Sequence, residues 1–228
     1  AYEMCGRDWS SDVCSSDLKL PAPKQIHGTD PDTLLQRQQA FGYTLEDLRI
    51  IMAPMAANGA EPIGSMGTDA ALAVLSDRPR LLYDYFKQLF AQVTNPPLDG
   101  IREELVTQVA TTFGPEGNLL KPSPESCRQL KLQSPILTNE ELARIRDMKL
   151  PGFRTSVISI LYPVTEGGPG LERSLEQIYQ QVDSAIDAGH SYIILSDREM
   201  DQQRAPIPAL LATAGVHHHL IRNGRRMR

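Results

Sequence analysis

The chain has 228 residues, of which 41% are hydrophobic and 22% charged, and its formal net charge is −5. This composition is ordinary for a folded globular protein, and the length suits one large domain or two small ones. The acidic balance argues against a nucleic-acid partner, and the sequence has no apolar run of the roughly 20 residues that a membrane-spanning helix needs.

The first 20 residues differ in composition from the rest of the chain. They contain the single tryptophan and two of the three cysteines, Cys5 and Cys14, and they show neither helical nor strand periodicity. The string CGRDWSSDVCSSDL resembles translated sequencing-adapter read-through, so we interpret residues 1–20 as a non-native leader and residues 21–228 as the domain. The odd number of cysteines predicts no disulfide framework and a reducing, cytoplasmic setting.

Helical signals fill the first part of the domain. Pro31 after Asp30 predicts a helix start, and Thr44 with Asp47 three residues later predicts a second, capped helix. The apolar face of this second helix comprises Leu45, Leu48, Ile51, Met52 and Met55. A loop is predicted at 58–68, a short helix or strand at 69–75, a helix at 78–90 and a helix or helix–strand pair at 101–112.

The second part predicts alternating strands and helices. A short strand is expected at 130–132, and Thr138 with Glu141 forms a capping box for a helix at 139–148. A buried strand at 156–161, a turn at 166–170, a helix at 171–188, a strand at 192–195 and a helix at 208–221 then follow. This order predicts a parallel βαβ unit. The predicted fold class is α/β, a domain with parallel βαβ units and several flanking helices.

The end of the chain predicts a break in the domain. Asn223-Gly224 is a stop signal that usually leads into a new element. We therefore expect the domain to be incomplete at both ends. The basic tail is predicted to be a solvated, frayed terminus and consists of Arg222, Arg225, Arg226 and Arg228.

Two patterns have the residue types of ligand sites. Gly167-Gly168-Pro169-Gly170 lies between a strand and a helix, where backbone N–H groups can bind phosphate, but a plain turn is the preferred interpretation because the pattern lacks a phosphate-loop motif. His217, His218 and His219 are consecutive, and on a helix they point about 100° apart, so they cannot converge on one metal ion. We expect one of the three to face the core or a neighbouring domain.

Four further candidates favour structural roles. His190 follows a glycine that ends a helix and is expected to interact with the helix C-terminus. An Asp197–Arg198 pair after a strand end is expected to shape its loop, although ligands also bind there in open α/β sheets. Glu103-Glu104 is expected to be a solvated helix face. Cys127 is expected to be a structural thiol, because no neighbour in its polar stretch would lower its pKa.

Several long motifs occur in order between residues 26 and 228. The longest is GYTLEDLRIIMAPMAANGAEPIGSMGTDAALAVLSDRPRLLYDYFKQLFAQVTNPPLD at 42–99. It is followed by GPEGNLL (114–120), SPILTNEEL (134–142), ILSDR (194–198) and APIPALLATAGVHHHLIR (205–222). Together these motifs resemble the central domain of the glutamate synthase large subunit.

The resemblance implies a reaction and a set of partners. Enzymes of this family convert glutamine, 2-oxoglutarate and two electrons into two glutamates, using FMN and an iron–sulfur cluster. The implied partners are the amidotransferase and FMN-binding domains of the same parent chain, together with a small reductase subunit or ferredoxin. The resemblance places the catalytic cysteine, the flavin site and the cluster cysteines outside this chain, so we expect no catalytic, cofactor or metal site in it.

The resemblance also implies that the central domain helps to wall an internal ammonia tunnel. The best candidates for the tunnel wall are Ser65, Met66, Gly67 and Thr68, with Thr94 and Asn95 as second choices. The glycines reduce side-chain bulk, Met66 offers an adaptable apolar lining, and the hydroxyls can hydrogen-bond ammonia. The alternative is that Gly67 and Asn95 only make turns. For the whole chain, the alternatives are a stand-alone scaffold and a small-anion-binding α/β module.

Overall fold

The computed structural model describes residues 22–23, 31–60, 62, 72–86, 97–115, 118, 120–121, 123, 129–150 and 152–227. The chain divides into two compact units, of which one is Thr29–Val106 and the other contains Thr107–Arg228. Helices and small sheets, both parallel and antiparallel, give an α/β fold, as the sequence predicts. Within the described ranges, no helix is both long enough and apolar enough to cross a bilayer.

Short helices make up the Thr29–Val106 unit. A 3₁₀ turn, Pro31–Thr33, leads into α1 (Leu34–Ala40), and a π-helical turn, Asp47–Met52, leads into α2 (Ala53–Asn58). Further 3₁₀ turns occur at Ala73–Leu75 and Leu82–Phe86, and α3 spans Glu103–Thr107. The predicted loop at 58–68 lies mostly outside the described residues. In the predicted short helix or strand at 69–75, the structure describes residues 72–75, and these contain the 3₁₀ turn Ala73–Leu75.

The predicted Thr44 cap is confirmed, but the apolar face behind it is not buried. The Thr44 hydroxyl accepts from the Asp47 N–H at 3.1 Å, and the Asp47 carboxylate accepts from the Thr44 N–H at 2.8 Å. Of the predicted apolar face, Leu45, Ile51, Met52 and Met55 are all exposed. The apolar residues predicted to share one face of this helix are therefore mostly not buried within the unit.

The predicted helix at 78–90 is also wrong where the structure describes it. Residues 78–81 are not helical, and only Leu82–Phe86 forms a 3₁₀ turn. Pro79 disfavours the helical conformation of the residue before it, and the Arg80 N–H donates to the Tyr85 hydroxyl at 3.4 Å instead of to a helical carbonyl.

In the described part of the second unit, five further strands and three helices accompany one parallel strand pair. The strands before this pair are β1 (Thr111–Phe113), β2 (Leu130–Leu132) and β3 (Lys149–Leu150), and α4 (Asn139–Arg146) lies between β2 and β3. After them come β4 (Phe153–Ser159), β5 (Leu161–Pro163), α5 (Gly167–Asp187), β6 (Tyr192–Ser196), β7 (Arg204–Pro206) and α6 (Ala209–Arg222).

The predicted βαβ unit is present. β4 and β6 pair in parallel, with Thr155 opposite Tyr192 and Ser159 opposite Ser196, and α5 connects them. β3 adds to β4 in the antiparallel direction, so the sheet order is β3-β4-β6. β1 pairs with β2 and β5 pairs with β7, each in the antiparallel direction. The β1–β2 pair matches the predicted helix–strand pair at 101–112 and the predicted strand at 130–132.

Alternation along β4 and β6 gives the sheet two buried faces. One face packs on α5 and α6 in a cluster of Ile158, Ile160, Ile178, Val182, Ile207, Ala212 and Val216. The other face packs on α4 and the β1–β2 pair in a cluster of Leu130, Leu132, Ile145, Met148, Phe153 and Tyr192. Because both faces are covered, the strands are rich in Ile, Val and aromatic residues, as buried parallel strands usually are.

Helix ends in this unit follow the sequence signals, with one exception. The Thr138–Glu141 capping box of α4 is complete: the Glu141 N–H donates to the Thr138 hydroxyl at 3.2 Å, and the Thr138 N–H donates to the Glu141 carboxylate at 2.7 Å. The predicted turn at 166–170 is wrong, because α5 already begins at Gly167. Gly167 has a φ of +57°, which glycine tolerates, and Pro169 fits because the first turn of a helix needs no N–H donors.

We expect Ile178→Ala to lower the free energy of unfolding by about 2–5 kcal/mol, because it leaves a cavity in the α5–α6 core. Ile178 is 2% exposed. The matched control is Ile221→Ala, since Ile221 is also helical but 49% exposed. Urea unfolding of both variants measures the difference, and an equal loss in the two would contradict the packing of α5 described above.

Candidate functional site

The six predicted tunnel-wall residues, Ser65, Met66, Gly67, Thr68, Thr94 and Asn95, lie outside the described residues. The same holds for Cys127. Their roles stay predictions. The geometry of candidate sites therefore comes from the second unit, at the strand ends and helix ends that the sequence singles out.

A cleft of about 210 Å³ lies at the carboxyl end of β4 and β6, beside α4. Val157, which is 49% exposed, forms part of its floor, and Ser196, Asp197 and Arg198 lie at its rim. The Arg198 guanidinium donates to the Asn139 side-chain oxygen at 2.9 Å, which ties the loop after β6 to the first residue of α4. This cleft is at the sheet edge where open α/β proteins usually bind ligands.

The predicted Asp197–Arg198 pair is not formed. The Arg198 side chain bonds to Asn139 instead, and the Arg198 N–H donates to the Ser196 hydroxyl at 3.3 Å. Glu199, the next residue, has a φ of +68°, so the backbone turns sharply here. The loop is therefore shaped by its link to α4 and by local backbone geometry.

The Glu166 carboxylate lies at the start of α5, beside the Gly167–Gly170 pattern that has the residue types of a phosphate site. Glu166 forms an ion pair with Arg173, seven residues and about two helical turns further along the chain. A methyl group added at Gly170 would lie 2.5 Å from the Glu166 β-carbon and 3.1 Å from its carboxylate oxygen. A negative charge already lies against the helix N-terminus, so the site disfavours a second anion.

The three consecutive histidines do not converge. His219 stacks on Tyr179, with ring centroids 4.8 Å apart, whereas His217 and His218 are exposed. One of the three therefore faces the core, as predicted. Across the described part of the chain, no group of three His, Cys, Asp or Glu side chains is arranged to hold a metal ion.

The structural roles predicted for His190 and for Glu103-Glu104 agree with the structure. The His190 N–H donates to the Ala185 carbonyl at 2.9 Å, and the His190 ring nitrogen Nδ1 lies 3.0 Å from the same oxygen. His190 thus closes the C-terminal end of α5, as predicted. Glu103 and Glu104 lie in the first turn of α3 and are exposed, which agrees with a solvated face.

A charged cluster that the sequence analysis missed joins α5 to the end of α6. The Asp183 carboxylate accepts from Arg225 at 2.9 Å and lies 2.8 Å from the His219 ring nitrogen Nε2. Arg225 also pairs with Asp187, one turn further along α5. The prediction that Arg225 belongs to a frayed tail is therefore wrong. Asp183 and Asp187 are four residues apart on one helix, a spacing that could have indicated a shared cationic partner.

The backbone after α6 explains why Arg225 reaches this cluster. Gly224 has a φ of +64°, and the Arg225 N–H donates back to the Leu220 carbonyl at 2.8 Å. This helix-ending turn reverses the chain and directs Arg225 toward α5. Burial by itself would raise the pKa of Asp183, but hydrogen bonds and charges from His219 and Arg225 hold that pKa below its ordinary value.

We expect Asp183→Asn to lower the free energy of unfolding by about 1–3 kcal/mol at pH 7, because it removes a charge-assisted hydrogen-bond acceptor. A carboxylate with a depressed pKa stabilises the fold above its ordinary pKa of about 3.9, and this contribution is lost as the pH falls through the folded-state pKa. Urea unfolding should therefore show a smaller difference at pH 3. Asp197→Asn, in the same unit, is the control and should change stability little at either pH.

Comparison with known proteins identifies the family. Residues 36–228 match the family model of the glutamate synthase central domain. The chain is 46% identical over 206 residues to the glutamate synthase [NADPH] large chain of Bacillus subtilis, which covers 90% of this chain and 13% of that relative. It is 48% identical to the glutamate synthase [NADH] of Schizosaccharomyces pombe, over 94% of this chain and 10% of that relative.

A third relative is named for another electron donor. The ferredoxin-dependent glutamate synthase 2 of Synechocystis is 46% identical, over 87% of this chain and 13% of its own length. The chain thus spans about a tenth of the length of each of these relatives. Because the family match covers most of the chain, the chain belongs to the glutamate synthase central domain family.

Proposed function

We propose that this chain is the central domain of a glutamate synthase large chain and that it works by joining the catalytic domains of that enzyme. The supporting observation is the family match over residues 36–228, together with large-chain relatives at 46–48% identity. The parent reaction converts glutamine, 2-oxoglutarate and two electrons into two glutamates. In this proposal the chain contributes structure and ammonia passage to that reaction, in the cytoplasm.

The chemical steps are assigned to other domains of the parent. The amidotransferase step needs a nucleophilic cysteine, and an iron–sulfur cluster needs several cysteine thiolates. The three cysteines of this chain, Cys5, Cys14 and Cys127, are far apart in sequence, and the described residues include no cysteine. Cys5 and Cys14 belong to the segment that we interpret as a non-native leader, so residues 21–228 contain a single cysteine, which cannot by itself ligate a cluster. The Glu166 carboxylate at the start of α5 likewise disfavours the phosphate of FMN.

The exposed apolar surface of the Thr29–Val106 unit supports a joining role. None of the helical elements described in this unit contains a buried residue. Exposed large apolar side chains include Leu35, Leu45, Val74, Leu75, Phe86, Ile101 and Leu105. Large apolar side chains exposed in such number favour an interaction site, and in the proposal they pack against the amidotransferase and FMN-binding domains.

The proposal does not depend on the electron donor. The identities of relatives named for the three donors overlap: 44–46% for NADPH, 43–48% for NADH and 41–46% for ferredoxin. A domain that contacted the donor would be expected to differ among these classes. The overlapping identities therefore favour a role common to all of them, and the small reductase subunit or ferredoxin would bind elsewhere on the enzyme.

The same reasoning extends to the tunnel wall. Ammonia released by one active site has to reach another without escaping to water, so the joining domain must present a narrow, shielded passage. Ser65, Met66, Gly67 and Thr68 combine small size, an adaptable apolar side chain and hydroxyl groups. We assign these four residues to the tunnel wall, with Thr94 and Asn95 as further contributors.

In the intact enzyme, Met66→Trp should obstruct the tunnel. Glutamine hydrolysis would then continue while glutamate formation from 2-oxoglutarate falls, by about tenfold or more if the passage is closed. The two activities are measured side by side on one preparation. Met66→Leu, which conserves volume, is the control and should keep the activities coupled. Unchanged coupling in Met66→Trp would remove Met66 from the tunnel wall.

The alternative function is a stand-alone scaffold or small-anion-binding module. A phosphate ligand with a dissociation constant of 0.1 mM would, at 10 mM, stabilise the fold by about 2.7 kcal/mol. We expect no such stabilisation, because Glu166 already places a carboxylate at the start of α5. Thermal unfolding with and without 10 mM phosphate measures this, with chloride at matched ionic strength as the control. A clear upward shift would favour the anion-binding alternative.

A further inference from the structure

A groove of about 450 Å³ runs along one edge of β6. Residues 191–194 all line it, and no residue of β4 does. Successive side chains of a strand point to opposite faces of the sheet, so a cavity that touches four consecutive residues follows the edge of the strand. Because β4 occupies the other edge, the groove lies along the edge of β6 that faces away from β4.

The walls of this β6-edge groove come from both faces of the sheet. Phe113 and Ile145 line it from the face that packs on β1 and α4, and Arg226 lines it from the side of α6. Most of the other residues that line the groove are apolar, namely Pro115, Leu137, Leu142, Ile193 and Ile194, but its accessible surface is more polar than apolar. An accessible strand edge beside such side chains has the form of a site for an added strand, in which the backbone supplies hydrogen bonds and the walls accept alternate side chains.

The second edge of β6 pairs with none of the strands that the structure describes, because their order in this sheet is β3-β4-β6. An edge strand presents a row of backbone N–H and C=O groups that can pair with further polypeptide. A parallel partner would continue the pairing that β6 already makes with β4.

The order of elements indicates where such a strand would come from. α5 carries the chain from β4 to β6, and α6 packs on the same face of the sheet as α5, within one apolar cluster. Crossover connections between parallel strands are almost always right-handed. A second crossover through α6, of the same hand and on the same face, would place the next strand beside β6 on the side away from β4.

The polypeptide after α6 already reaches the groove. The turn at Gly224 reverses the chain, Arg225 is held by Asp183 and Asp187, and Arg226 forms part of the groove wall. The family is named as a central domain, and the match runs to residue 228. In the relatives, this region is about a tenth of a much longer chain.

We propose that the β6-edge groove binds the polypeptide that follows residue 228 in the full-length enzyme, as a further parallel strand on β6. The inference rests on the proposed function, because only a longer chain supplies this segment. Connections from helix to strand usually take 2–6 residues and strands about 5–6, so the paired segment should fall within about 15 residues after residue 228. Its alternate side chains would be apolar, to fill the wall formed by Phe113 and Ile145.

The test is site-specific photo-cross-linking in the full-length enzyme. p-Benzoylphenylalanine is introduced in place of Thr112, an exposed residue of the groove wall, and the cross-linked peptides are identified by mass spectrometry. We expect cross-links to the first about 15 residues after residue 228 of the same polypeptide. The matched control has p-benzoylphenylalanine in place of Thr213, an exposed residue of α6 outside the groove, and should give no such cross-link.

A second position keeps the test decisive if the first variant does not fold. Arg226, on the opposite wall, receives the same label and should cross-link to the same short segment. Cross-links from the groove only to other domains, or only within residues 1–228, would overturn the proposal. Cross-links between a nitrogen-15 chain and an unlabelled chain, in a mixture of the two enzyme preparations, would also overturn the proposal. Such products would place a second copy of the chain in the groove.

The proposed function is tested separately on the unsubstituted full-length enzyme. Glutamate formation from glutamine and 2-oxoglutarate is assayed on that preparation. If the enzyme makes no glutamate but the cross-links map to the segment after residue 228, the proposed function fails and the strand assignment stands. If glutamate is made and the cross-links map elsewhere, only the strand assignment fails.

Discussion

The parallel pairing of β4 with β6 is the constraint on which the rest of the second unit depends. Parallel strands cannot be joined by a tight turn, so the chain must leave β4 and return through α5. That crossover covers one face of the strands, and α4 with the β1–β2 pair covers the other. The Asp183–Arg225 link and the Arg198–Asn139 link then attach the end of α6 and the loop after β6 to helices on opposite faces.

Sequence periodicity predicted this core because its signals are local and agree with one another. The Thr138–Glu141 cap, the apolar run of β4 and the apolar face of α5 each lie within one element. The errors occurred where contacts distant in sequence decide the outcome. The sequence places Arg225 in a solvated tail, but the chain reverses at Gly224 and directs Arg225 toward α5. The sequence likewise pairs Arg198 with Asp197, but in the fold α4 brings Asn139 beside Arg198.

The candidate site was less predictable than the fold for a related physical reason. A catalytic site can be recognised when its residue types and spacing match a reaction, whereas the joining role proposed for this chain would depend on its surfaces. The apolar face from Leu45 to Met55 has the periodicity of a helix packed on a core, yet these side chains are exposed in the Thr29–Val106 unit. Periodicity indicates that a face is apolar, but it does not indicate which partner covers the face.

This distinction explains why one chain can have a well-packed core and also a large exposed apolar surface. The second unit buries its apolar residues on both faces of a small sheet, whereas the helices of the Thr29–Val106 unit bury none in the described residues. In the proposed joining role, partner domains would cover the exposed apolar side chains, because such side chains contribute no hydrophobic stabilisation while they are left in water. In the two proposals, the exposed helices and the second edge of β6, which pairs with none of the described strands, are both surfaces that the remaining polypeptide of a longer enzyme covers.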